Sequence, residues 1–61
     1  MLNNFYEFQH LELKSDPKTQ YTVKRIVDDT VIVYEWIDDM EYTIKEFKTD
    51  EFGKLVKEGW W

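Results

Sequence analysis

Between Gln20 and Lys45 the chain alternates apolar and polar residues in three β-rich runs. Tyr21–Val27 ends at Asp28-Asp29, Thr30–Ile37 ends at Asp38-Asp39, and Met40–Ile44 follows. β-branched and aromatic residues favour a pleated surface, and aspartate pairs favour turns, so the pattern predicts a three-strand β-meander with two tight acidic turns. With two-residue turns, Val27 faces Thr30, Arg25 faces Ile32 and Val23 faces Tyr34. Across the second turn Ile37 faces Met40 and Val33 faces Ile44. Side chains alternate between faces. One face then gathers Ile26, Val31, Val33, Ile37, Met40, Tyr42 and Ile44. The other gathers Tyr21, Val23, Val27, Ile32, Tyr34 and Trp36, with Arg25, Thr43 and Lys45 among them. The central run is apolar on both sides, unlike a sheet with one wet face. Such a sheet must curl into a barrel, be covered on both faces, or meet a partner.

The C-terminal part predicts a helix. Thr49 is placed to cap it, Asp50 and Glu51 lie in its first turn, and Lys54 and Lys57 in its last, as the helix dipole favours. Phe52, Leu55 and Val56 form its apolar stripe, Gly59 is positioned as the residue that ends it, and Trp60 can fold back on Leu55. In the first nineteen residues Leu11-Glu12-Leu13-Lys14 alternates like a strand, and Ser15-Asp16-Pro17-Lys18 reads as a turn. Leu2, Phe5, Phe8 and Leu11 also recur every three residues, which suits a helix. We take a strand over residues 5–14. The expected architecture is a single α+β domain spanning 1–61: an antiparallel meander of three to four strands with one C-terminal helix. It is similar in outline to small SH3-like barrels, a likeness of architecture that implies no function.

The length leaves room for one domain. A chain this short buries only about 60% of its unfolded surface. Its composition compensates: 43% of residues are hydrophobic, 18% are aromatic and alanine is absent. Cysteine is absent too, which excludes disulfides and thiolate chemistry. No apolar run is long enough to span a membrane, and the N-terminal residues do not form a signal peptide, so a soluble, cytoplasmic protein is expected.

Charge changes the picture more. Thirteen acidic against eight basic residues give a net charge of −5. Six of the acids (Asp28, Asp29, Glu35, Asp38, Asp39, Glu41) lie between Ile26 and Ile44 with no base among them. That field repels phosphates and attracts a basic partner. Tyr21, Tyr34 and Trp36 flanked by Arg25 and Lys45 are the best constellation for stacking single-stranded bases, but the acids oppose it. Catalytic chemistry is sparse. His10 and Ser15 are the sole histidine and serine, with no third group tied to them. Asp28-Asp29 and Asp38-Asp39 are separated by about 26 Å of strand and cannot share a cation. Neither turn matches a calcium loop, and two glycines do not make a phosphate loop. No catalytic site, metal or cofactor is expected. Trp60 and Trp61, adjacent indoles, are hard to bury together in so small a domain, and an exposed tryptophan is a common interface anchor.

Lysine outnumbers arginine seven to one, a bias common in AT-rich genomes. In size and composition the chain resembles accessory proteins of phages and mobile elements. That resemblance implies a protein that binds and blocks a host enzyme, in some cases by displaying carboxylates as a nucleic-acid mimic. The expected function is a non-catalytic acidic protein-binding module that inhibits a basic, nucleic-acid-handling host protein. Asp28, Asp29, Glu35, Asp38, Asp39 and Glu41 would steer, and Trp36 and Trp61 would anchor. Neither direct nucleic-acid binding nor a membrane partner is expected. The alternative is a self-assembling protein that buries its aromatic face in a homodimer.

Overall fold

The described residues build five strands, one more than the meander with an N-terminal strand predicts. The computed structural model describes residues 4–59. In chain order they form β1 (His10–Leu13), β2 (Asp16–Val27), β3 (Thr30–Trp36), β4 (Tyr42–Lys48), α1 (Thr49–Leu55) and β5 (Val56–Glu58). One antiparallel sheet runs β4-β3-β2-β1-β5. The α+β class stands. Among the described residues the sheet is open, with β4 and β5 as its two edges, so the likeness to an SH3-like barrel is not confirmed.

Local chemistry sets each turn. Asp28-Asp29 is a two-residue turn, and Val27 faces Thr30 as expected. Asp28 takes a φ of 55°, a left-handed conformation that aspartate tolerates better than most residues. Arg25 faces Ile32, but a bulge at Lys24 then sets Val23 opposite Val33 instead of Tyr34. The extra residue turns both Val23 and Ile26 toward the core side. The second acidic turn is longer than expected. Ile37 N–H donates to Glu41 O at 2.9 Å, so Asp38-Asp39-Met40 forms a three-residue loop. The Asp38 carboxylate accepts from the N–H groups of Met40 and Glu41 at 2.8 and 2.9 Å. This satisfies loop amides that a two-residue turn would not have exposed. The consequence is a slip of one residue: Val33 faces Lys45, and Tyr34 faces Ile44. A slip of one exchanges the faces of a strand, so Tyr42 and Ile44 join Tyr34 and Trp36.

The two ends of the chain differ from expectation. The N-terminal strand begins at His10, not at residue 5, and the preceding segment is irregular. Buried Gln9 holds that segment in place: its Nε2 donates to Asn4 O and its Oε1 accepts from Tyr6 N–H. The β1–β2 turn falls at Lys14-Ser15, with Pro17 beyond it. The register jumps from Leu13–Asp16 to Glu12–Gln20, which loops out Pro17, Lys18 and Thr19. Proline has no N–H to give a ladder, and the Asp16 carboxylate accepts from Lys18 N–H and Thr19 Oγ1–H. At the other end the helix stops at Leu55, and Val56 starts β5. Thr49 is its first residue; the N-cap is Lys48, which makes no side-chain cap. A seven-residue helix has little stability of its own. The free side of β1 competes for the chain: Lys14 N–H donates to Leu55 O, and Leu13 faces Val56. Gly59, at φ 92°, ends β5 instead of the helix. Leu55, expected in the apolar stripe, is half exposed. The contact expected of Trp60 lies outside the described residues.

The core lies between the sheet and α1. Leu11, Tyr21, Val23, Val31, Val33, Phe52 and Val56 are buried, with Phe5, Leu13, Ile26 and Phe47 packed around them. Phe52 is at the centre. Its ring stacks on Phe47 at 4.4 Å and on Phe5 at 5.8 Å, and meets the edge of Tyr21 at 5.2 Å. Replacing a buried phenylalanine with alanine costs about 3–5 kcal/mol. A domain of this size holds roughly 3–9 kcal/mol in total. Phe52→Ala should therefore leave much of the chain unfolded at 25 °C, whereas Phe52→Leu should lose about 1–2 kcal/mol and stay folded. Urea titration followed by tryptophan fluorescence measures both; equal midpoints would remove Phe52 from its central place.

Candidate functional site

The face of the sheet away from α1 carries the candidate site. Alternation along β2, β3 and β4 brings Thr22, Ile32, Tyr34, Trp36, Tyr42 and Ile44 onto it. Tyr42 lies at the middle of a ring cluster. Its centroid is 4.7 Å from Tyr34 and 5.3 Å from Trp36, both edge-on. Tyr34 and Trp36 are 6.4 Å apart. Edge-to-face rings at these distances reinforce one another beyond the area they bury. The platform is open to solvent: Tyr42 is 48% exposed and Ile44 51%. Trp36 is partly buried and fixed from behind. Its Nε1–H donates to Thr22 Oγ1 at 2.9 Å, and Thr22 Oγ1 lies 3.2 Å from His10 Nδ1. Burial lowers the His10 pKa below its ordinary value. A neutral ring that accepts the Thr22 hydroxyl proton fits that environment, and it leaves the Thr22 oxygen free to accept from Trp36.

The six acids divide into three groups. Asp38, Asp39 and Glu41 surround the β3–β4 loop, beside Trp36 in the chain, with Ile37 and Met40 exposed among them. Asp28 and Asp29 sit in the turn at the other end of β3, where Asp29 is 3.3 Å from Lys48 Nζ. Glu35 lies on the core side, opposite Tyr21 and 3.6 Å from Lys45 Nζ. The structure therefore brings together Trp36 and the Asp38, Asp39, Glu41 group. It separates them from Asp28, Asp29 and Glu35. Trp61 lies outside the described residues. Tyr42 and Ile44 join the candidate site, whereas a two-residue turn at Asp38-Asp39 predicts them on the opposite face. The signal that could have found them is the capacity of Asp38 to fold over loop amides and lengthen the turn. The base-stacking constellation is also split. Tyr21 is in the core and Lys45 pairs with Glu35, which leaves Arg25 with Tyr34 and Trp36.

Tyr21 and Glu35 form a polar contact at the rim of the core. Burial first, then the hydrogen bond to Glu35 and the charges of Glu35 and Asp16, push the phenol up to about 12. The unfolded chain ionises near the ordinary value of 10. The folded state thus keeps its proton longer, so its advantage is complete below pH 10 and is lost as pH rises toward 12. This dependence should amount to roughly 2 kcal/mol. Stability measured by urea titration across that range should fall more steeply for the wild type than for Tyr21→Phe. Parallel curves would mean that Tyr21 ionises alike in both states.

No family model matches the chain, and no solved structure matches it. Over 61 residues it is 44% identical to the SPbeta prophage-derived uncharacterized protein YosJ of Bacillus subtilis (strain 168). The match covers 98% of this chain and 95% of that protein. The prophage origin of the relative agrees with the resemblance, in size and composition, to phage accessory proteins. Identity of this order along nearly the full length of both chains places them together: the protein belongs to the same family as the prophage-derived YosJ.

Proposed function

We propose that the protein is a non-catalytic phage accessory protein that binds, and thereby inhibits, a basic nucleic-acid-handling protein of the host. The observation that carries this reading is the solvent-open platform of Tyr34, Trp36, Tyr42 and Ile44 beside an acidic loop. Among the described residues the lysine–carboxylate pairs are Lys45–Glu35 and Lys48–Asp29. Asp38, Asp39 and Glu41 are thus not neutralised by lysine. Aromatic faces accept arginine and lysine side chains by cation–π attraction. Carboxylates beside them raise the encounter rate with a basic surface and disfavour phosphate. A nucleic-acid-binding site on the partner offers such a surface. The prophage origin of the relative supports an accessory role in a bacterial host.

Immobilised protein should retain one basic protein of a Bacillus lysate in near-equal amount at low salt and release it at high salt, because exposed charges are screened. Against that purified target, Asp39→Lys with Glu41→Lys, which spares the Asp38 carboxylate that holds the loop amides, should lower the association rate about tenfold at low salt. Tyr42→Ala should instead raise the dissociation rate about tenfold or more. Surface plasmon resonance separates the two effects. Unchanged rates for both variants would overturn the assignment of this face.

A further inference from the structure

β4 is an edge strand with β3 on one side and, among the described residues, no strand on the other. The bond from Ile37 N–H to Glu41 O makes Ile37–Glu41 a hydrogen-bonded pair. By alternation Glu35–Thr43 and Val33–Lys45 are hydrogen-bonded pairs too. The N–H and C=O groups of Tyr42, Ile44 and Glu46 therefore point to the free edge. Six of the seven β4 residues are exposed. Such an edge is a template for another strand unless charge blunts it.

The charges on this edge are arranged to complement themselves. Consider Glu41-Tyr42-Thr43-Ile44-Lys45 laid antiparallel against the same segment of a second copy, with a two-fold axis through Thr43. Glu41 then lies opposite Lys45, Tyr42 opposite Ile44, and Thr43 opposite Thr43. These are an opposite-charge pair, an aromatic–β-branched pair and a threonine pair, three favoured kinds of cross-strand neighbour. Neighbouring registers are worse. An axis through Ile44 sets Tyr42 against Glu46, and an axis through Lys45 sets two lysines face to face. The favoured register also uses the outward backbone groups of Tyr42 and Ile44, the two residues whose side chains are half exposed. Both lie on the platform face, while Glu41 and Lys45 lie on the α1 side.

We infer that β4 is a homotypic docking edge, through which two copies pair about Thr43 into one continuous sheet. The contact is isologous. It joins the two aromatic platforms into a single face and covers Tyr42 of each copy with Ile44 of the other. An interface of one short strand lies at the weak end of specific contacts.

Sedimentation equilibrium tests this. The weight-average mass should rise from one chain to two between about 10 μM and about 1 mM. Glu41→Lys and Lys45→Glu each place like charges at two symmetry-related pairs, so each should weaken the dimer about tenfold. The double variant Glu41→Lys, Lys45→Glu restores opposite charges and should recover the dimer, even though Lys45 has also lost Glu35. Ile44→Pro removes an outward N–H and should leave a monomer, since proline is tolerated on an edge strand. Circular dichroism verifies that each variant is folded, and the charge reversals decide the matter if the proline variant is not. A wild type that stays monomeric at about 1 mM overturns the inference. So does a dimer indifferent to the two single reversals, which would place the contact elsewhere.

Discussion

The Phe52 ring is the point on which this small domain depends. It lies between Phe5, Tyr21 and Phe47, which come from the N-terminal segment, the second strand and the fourth strand. These parts of the chain share no backbone ladder with the helix that carries Phe52. Their stacking is what closes the core side of the sheet. A chain of this length has little aliphatic material to spare, and large rings bury more area per residue. With Phe52 seated, the helix must end where it does, and Val56 is delivered to the free side of β1.

Covering one face so efficiently leaves the other bare. The helix and the N-terminal phenylalanine both serve the core side. The opposite face is left with Tyr34, Trp36, Tyr42 and Ile44 packed mainly on each other. The hydrogen bond from Trp36 to Thr22 holds the indole while leaving part of its ring open. The charge distribution strengthens the contrast between the two ends of β3. At one end Asp29 is neutralised by Lys48, and in the middle Glu35 is neutralised by Lys45. At the other end the loop acids keep their field. The unpaired negative charge and the exposed aromatic surface therefore meet at one corner of the sheet.

The face and the edge carry different charge patterns. The face has its unpaired carboxylates at one corner, the feature on which the proposed basic partner rests. The β4 edge, with its acid–aromatic–threonine–aliphatic–base order, suits itself. Edge pairing would set both platforms on the same side of one sheet, with Tyr42 of each copy against Ile44 of the other, so a self-paired form would carry two copies of the candidate site on one face. Two linked sites bind a repetitive surface more tightly than either alone.

Much of this was legible along the chain. β-branched runs broken by aspartate pairs announced the meander, and the turn at Asp28-Asp29 falls where they place it. The acidic first turn and Phe52 announced the helix, and the apolar even positions of β3 announced a face with no obvious cover. These features are local: they follow from alternation, turn chemistry and composition within a few residues. Tertiary structure decided the rest. The bulge at Lys24 exists because Val23 and Ile26 must both reach the core. The irregular stretch before His10 exists because Gln9 bonds the backbone at Asn4 and Tyr6. The strand at Val56 exists because β1 had an unpaired side. Above all, one additional residue in the Asp38 loop moved Tyr42 and Ile44 to the platform face. Register depends on which face gains more from burial across the whole sheet, and no window of sequence holds that comparison.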